Sequence, residues 1–254
     1  MRIDLNSDVG ESYGAWQMGH DDQLVPLVTS VNIACGAHAG DPLVMEQTVA
    51  LAVEHGAAIG AHPGYPDRDG FGRRDLAMSA AELEASLLAQ LGALSAFVRA
   101  AGGRLVHVKP HGALYNRAAH DPELAATICR AVVRFDSSLM LVGLAGSTML
   151  EVARAAGLAA AGEAFADRAY EGDGSLRSRR LPGAVVPTPE AAAEQALSIA
   201  TLGSVISHDG ATVKVRADTL CIHGDTPRAA EYAREVRRAL EQADVKVAPL
   251  RPAD

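Results

Sequence analysis

Five stretches of this chain carry a short aliphatic run straight into residues that can move protons or hold charge. They are RIDLNSDVGE (Arg2–Glu11), VNIACGAHAGD (Val31–Asp41), AAIGAHPGYPD (Ala57–Asp67), LVHVKPHGALYN (Leu105–Asn116) and TLCIHGDTP (Thr219–Pro227). The first places Asp4, Asn6, Asp8 and Glu11 within eight residues. That spacing suits a general acid/base pair or metal ligands, and it equally suits a turn capped by Asp. His38 and His62 follow strand ends among Gly and Ala, small neighbours that let a ligand approach closely. With Asp8 they compose a candidate metal site of two His and one carboxylate, with positions left open for water. A divalent ion there lowers the pKa of its water to about 7. No HExxH spacing strengthens that reading. In Val108-Lys109-Pro110-His111-Gly112, Lys109 can hold a carboxylate or phosphate or stabilise an oxyanion. His111 can move a proton near neutral pH. Glu163, Asp167 and Arg168 form a further group. Arg168 can grip a substrate carboxylate, or it can pair internally and order the residues that follow. His223 and Asp225 repeat the pattern, and either Asp225 or Thr226 can cap the next helix.

These residues converge only if the elements beneath them point the same way. Candidate strands are Arg2–Asn6, Ser30–Ala34, Ala57–Ala61, Arg104–Val108, Leu139–Val142, Leu158–Gly162, Thr219–Ile222 and Val245–Ala248. If Ile3 and Leu5 face helices, then Asp4, Asn6 and Asp8 face inward. By the same alternation His107, Lys109 and His111 share one side, as do Cys221, His223 and Asp225. The clearest helix is Ser79–Ala101, with a Ser79/Glu82 capping box, a stripe of Leu83, Leu87, Leu91, Leu94 and Val98, and a stop at Gly102-Gly103. Asp41-Pro42, Asp121-Pro122, Thr188-Pro189 and Thr226-Pro227 read as four further helix starts. Strand alternating with helix predicts a parallel sheet with right-handed crossovers. The expected fold is a TIM-barrel-like (β/α) barrel of seven or eight mostly parallel strands, its site on the C-terminal rim. One domain spans 1–254, broken by a polar, Arg-rich loop near 166–187 and a small hairpin near 205–215.

Composition narrows the function. Of 254 residues 48% are hydrophobic and only 4% aromatic, so Ala, Leu and Val must pack the core. The net charge is -8 and no basic run exceeds Arg177-Ser178-Arg179-Arg180, which argues against a nucleic-acid partner. No apolar run approaches the ~20 residues of a membrane span, and no signal segment opens the chain. Three scattered cysteines, Cys35, Cys129 and Cys221, make neither a disulfide framework nor a zinc knuckle. A cytoplasmic protein is expected. Neither a GxxxxGK[ST] phosphate loop nor a GxSxG nucleophile turn is present.

Six motifs in fixed order, DLNSDVGE, NIACGAHAGDP, GAHPGYPDRDGFGRR, VKPHGALYN, EAFADRAY and CIHGD, resemble the family of 5-oxoprolinase A subunits, also called LamB/YcsF. The resemblance runs from about Arg2 to Leu240. Ala37 stands where many members carry Phe, and Gly64 where many carry Ser. The resemblance implies a barrel related to the glycoside hydrolase and deacetylase barrels. It also implies ATP-dependent opening of 5-oxo-L-proline to L-glutamate with partner subunits B and C. ATP then belongs to the complex, since this chain shows no ATP motif. On this reading Asp8 or Glu11 activates water, His38, His62 and His111 shuttle protons, and Lys109 stabilises the oxyanion. Asn6, Glu163, Arg168 and His223 bind substrate. Two alternatives remain: a deacetylase-like metal-dependent amide or ester hydrolase using Asp8, His38 and His62, and a non-catalytic subunit that binds a lactam or carbohydrate.

Overall fold

The structure, a computed structural model, describes residues 1–225 and 228–250. The Thr226-Pro227 helix start and the Thr226 cap lie outside them. Seven parallel strands close on themselves: β1 (Arg2–Val9), β2 (Ser30–Ala34), β3 (Ala58–His62), β4 (Leu105–Val108), β5 (Met140–Leu144), β6 (Ala160–Phe165) and, after a two-stranded hairpin of β7 (Ser204–Ile206) and β8 (Thr212–Lys214), β9 (Thr219–Cys221). β6 pairs with β9 from Glu163↔Thr219, and β9 returns to β1 from Asp4↔Thr219, which completes the ring. The expected eighth strand, β10 (Lys246–Val247), pairs with Arg2 and Ile3 at the start of β1 and stays out of the ring. A two-residue pairing at one end of β1 is too short to interpose a stave. β6 begins and ends later than its aliphatic run suggests, so Glu163 lies within the strand and not beyond it.

Around the ring run α1 (Asp21–Leu24), α2 (Pro42–Glu54), α3 (Ala80–Ala100), α4 (Gly112–Ala118), α5 (Pro122–Asp136), α6 (Thr148–Ala155), α7 (Pro189–Leu202) and α8 (Ala229–Gln242). Asp41 and Asp121 each accept from two backbone amides, and Thr188 accepts from Ala191, each ahead of Pro at the helix start. Ser79 and Glu82 form the capping box of α3. This helix is long and apolar enough, by length and composition, to cross a membrane. Its apolar stripe is nevertheless spent in the core, where Leu83, Leu87, Leu91, Leu94 and Val98 are buried and the helix packs on α2 and α5.

Outward-facing Ile3, Leu5, Val31, Ile33 and Leu141 bury against these helices. The inside of the ring is different. Barrels of this kind fill their centre with layers of branched aliphatic side chains. Here Asp4, Asn6, Asp8, Asn32, His107, Lys109 and Glu163 are all buried, and polar pairs connect them across the ring. At the bottom Asp4 accepts from Thr29, Ser30 and Thr219. One level up Asn32 Nδ2 donates to Asn6 Oδ1 (2.7 Å) and Asp8 Oδ1 (2.8 Å), while its Oδ1 accepts from His107 Nε2 (2.7 Å). Gly60 makes room for the His107 ring, because a Cβ there would collide with it.

Candidate active site

The top of this ladder is a charged triangle. Lys109 Nζ lies 2.8 Å from Asp8 Oδ1, 2.7 Å from Glu163 Oε1 and 3.2 Å from Cys221 Sγ. These contacts occupy its three N–H donors. The sequence reading gave Lys109 to an oxyanion, but in the structure it holds two carboxylates, and only the Sγ contact is weak enough to yield to a substrate oxygen. Burial alone raises the Asp8 carboxyl; its contact with His62 and the Lys109 charge overcome this and hold it well below the usual carboxylate range. Burial likewise opposes the Lys109 ammonium, and Asp8, Cys221 and Glu163 hold it well above its ordinary value. Glu163 Oε2 and the Tyr115 hydroxyl are buried without a hydrogen-bond partner among the described residues. Burial and the Glu163 charge keep the Tyr115 phenol protonated.

Beside the triangle stands a buried acid–histidine pair. Asp167, fully buried, accepts from His223 Nδ1 (3.0 Å) and from the His223 backbone N–H (3.1 Å). The His223 ring stacks on Phe165. An Nδ1 hydrogen fixed on Asp167 leaves Nε2 as the working nitrogen, the arrangement that lets imidazole serve as acid or base.

A third group closes the site on the other side. Glu11, His38, His62 and His111 bring one ligand atom each to within 4.8 Å of the others. Of the set expected from sequence, His38 and His62 are both in this group, and Asp8 Oδ2 lies 3.4 Å from His62 Nε2. Glu11 supplies the carboxylate and His111 joins, while Asp8 groups with Cys221 and His223. Burial, reinforced by Asp8 and Asp225, pushes the Glu11 carboxyl well above its ordinary value. Burial, reinforced by neighbouring histidines, holds His38 and His111 well below theirs. His107 falls to about 3 through burial and the Lys109 charge, so it stays neutral in the ladder.

A cavity of about 500 Å³ opens over these groups. Asp8, His62, Lys109, His111 and His223 line it, together with Arg73, Arg168 and Arg179. Asn6 lies deeper: its Nδ2 donates to Glu163 Oε1 (3.1 Å) and Thr219, and it lines no part of the cavity. Arg168 reaches the wall, but Nε donates to Ala184 O (3.1 Å) and Nη2 to Arg177 O (2.6 Å), so it ties together the loop over 166–187. Burial and nearby Arg179 lower its pKa to about 10. Asp225 bridges Arg73 (2.5 Å) and Arg179 (3.5 Å) at the cavity edge. Among the described residues His38 Nδ1 has no hydrogen-bond partner, and a Cβ at Gly64 would sit 3.0 Å from it. Ala37 lines a separate cleft of about 380 Å³ with Tyr13, Met45 and Arg68.

Sequence reasoning named Asp167 but did not pair it with His223, 56 residues away. It also missed Tyr115, Asn32, Arg73 and Phe71. All four lie on the quoted motifs, Tyr115 on that of Lys109 and His111, Phe71 and Arg73 on that of His62, and Asn32 on that of His38.

The LamB/YcsF family model matches residues 3–254. The 5-oxoprolinase A subunit of Chloroflexus aggregans is 56% identical over 247 residues, 97% of this chain and 98% of the relative. That of Thermus thermophilus is 54% identical, covering 97% and 99%. The crystal structure of a lactam utilization protein from Thermus thermophilus superposes with a TM-score of 0.93 at 53% identity, over 98% of this chain and 100% of that one. A family 4 carbohydrate esterase from Streptomyces lividans, 12% identical, shares the fold with a TM-score of 0.50 over 99% of this chain and 93% of its own. By the motifs, the match along nearly its whole length and these relatives, the chain belongs to the LamB/YcsF family.

Proposed function

We propose that this chain is the A subunit of an ATP-dependent 5-oxoprolinase, working in the cytoplasm with partner subunits B and C, and that it carries out the hydrolytic half of the reaction. The observation that supports this most is the cavity. A buried Asp8–Lys109–Glu163 triangle and an Asp167-backed His223 face a space of about 500 Å³ rimmed by Arg73, Arg168 and Arg179. That combination suits a small substrate carrying a carboxylate and a phosphoryl group. The sequence offers no phosphate loop of its own, so the phosphoryl transfer falls to the partners.

On this reading the partners transfer phosphate from ATP to the lactam oxygen, giving a cyclic phosphorylated imidate. Water, oriented by the Asp8 carboxylate, adds to the ring carbon. The C–N bond then breaks, with the electron pair going to nitrogen and a proton coming from His223. The acyl phosphate that results takes up a second water and releases L-glutamate and phosphate. Lys109 keeps Asp8 charged and in place. Arg73 and Arg179 bind the anionic groups of the substrate, and Glu163 with Tyr115 forms the inner wall.

The test is glutamate release from 5-oxoproline and ATP by the purified chain, with and without partners B and C. Glutamate only in the presence of all three and ATP supports the assignment. Amide or ester hydrolysis by this chain alone, without ATP, supports a deacetylase-like activity instead. Full activity of both Lys109→Ala and His111→Ala within the complex, or substrate binding with no turnover under any condition, removes this chain from the chemistry.

A further inference from the structure

The geometry of Glu11, His38, His62 and His111 points to a bound divalent transition-metal ion, a site that stands whether or not the lactam reading does. The argument begins with two backbone carbonyls. His62 Nδ1 lies 2.7 Å from Lys109 O, and His111 Nε2 lies 2.8 Å from Phe71 O. A carbonyl oxygen only accepts, so both ring nitrogens carry hydrogen there. The opposite nitrogens, His62 Nε2 and His111 Nδ1, are therefore turned toward each other, 3.0 Å apart. Glu11 Oε1 sits 3.4 Å from His111 Nδ1 and 3.3 Å from His38 Nε2.

Lone pairs facing one another at such distances repel unless positive charge lies among them. One proton relieves one contact, yet four donor atoms converge here. The spacing fits a larger cation. Metal–ligand bonds of ~2.0–2.1 Å in tetrahedral array set donor atoms about 3.3–3.4 Å apart. Contacts of 3.0, 3.3 and 3.4 Å match that edge length.

The surroundings are built for rigidity. His38 and His111 stack at 3.7 Å, and His62 stands edge-on to both. Carbonyls gripping the outer ring nitrogens of His62 and His111 fix their tautomers and orientations, as they do around metal-bound histidines. Phe71 holds a left-handed φ of 54°, an unfavourable conformation for a non-glycine residue, and its carbonyl is the one that fixes His111. Gly72 follows, where any Cβ would press on His38 and His111 at 2.8 Å. All four side chains are at most 6% exposed. Of the four, His62 and His111 also line the cavity, so the ion lies at its wall. Three imidazoles and one carboxylate favour Zn²⁺, Co²⁺, Mn²⁺, Ni²⁺ or Fe²⁺ over Ca²⁺ or Mg²⁺.

The test is metal content and Co²⁺ titration of the purified full-length chain, read without turnover. The expected result is one ion per chain, a ligand-field absorption band on adding Co²⁺ to chelator-treated protein, and no competition by Mg²⁺. His38→Gln and Glu11→Gln, both on the far side from the cavity, each weaken Co²⁺ binding at least ~10-fold. A folded wild-type chain that binds no Co²⁺ overturns the inference. So does Co²⁺ binding that persists unchanged in both variants, which assigns the ion to surface histidines such as His20, His55 or His120. Because wild-type stoichiometry needs no variant, misfolding of a substituted chain leaves the test decisive.

Discussion

At the scale of single residues, the site works by fixing one face of a side chain and leaving the other to the cavity. His223 shows this most clearly. Its Nδ1 is held by Asp167, and its Nε2 is left to the cavity. Asp167→Asn preserves shape and removes the acceptor that selects this tautomer. The expected outcome in the assembled enzyme is a kcat lower by ~100-fold or more with little change in KM, measured by steady-state glutamate release. An unchanged kcat removes the proton-transfer role from His223. Lys109 illustrates the converse. A lysine so fully occupied by two carboxylates and a thiol is a positioning residue first, and its value lies in keeping Asp8 ionised in a place that water barely reaches.

At the scale of elements, the turn after β1 couples the site to α1. Gly10, at φ 68°, donates its N–H to Asp21 Oδ2 (2.8 Å), which turns Glu11 toward His38. Burial raises Asp21 from 3.8 to about 6, against the opposing hydrogen bond from Gly10. A raised carboxyl stabilises the fold fully below its unfolded value of ~3.9, and that contribution is lost as pH rises through about 6. Asp21→Asn keeps an acceptor for Gly10 without the charge. It is expected to equal wild type in stability below pH 4 and to exceed it above pH 6, by up to ~3 kcal/mol. Thermal melts across that range decide it, and a variant that is less stable at neutral pH contradicts the account. The elements were also the most legible part of the sequence. Each barrel strand ends its aliphatic run on a polar residue, and Asp-Pro or Thr-Pro pairs begin the helices. Asp8 and Lys109 were legible because strand alternation fixes their direction. Glu11 was named as a candidate acid, but its direction was not legible, since the left-handed turn at Gly10 ends that alternation. Nor was the Asp167–His223 pair, which only the closure of β6 on β9 brings together.

At the scale of the whole molecule, Asn32 is the hub of the polar interior. It serves Asn6, Asp8 and His107 at once and is fully buried. Asn32→Leu has nearly the same volume and strands all three partners. Breaking such a buried network is expected to cost ~3–5 kcal/mol, seen as a lower urea midpoint with an unchanged slope. Leu in a barrel centre of the usual aliphatic kind costs little, so a near-neutral result means that the ladder is not holding the barrel closed.

The interior ladder also bears on how such a protein diversifies. In a barrel with an inert aliphatic centre, rim residues can be erased and replaced while the fold persists beneath them. On the proposed reaction Asp8, Lys109 and Glu163 belong at once to the chemistry and to the framework, so descendants that lose the reaction lose part of their scaffold with it. Change is cheapest in the coverings: the 166–187 loop and the cleft beside Ala37 can vary what enters, while the charges at the centre stay where they are.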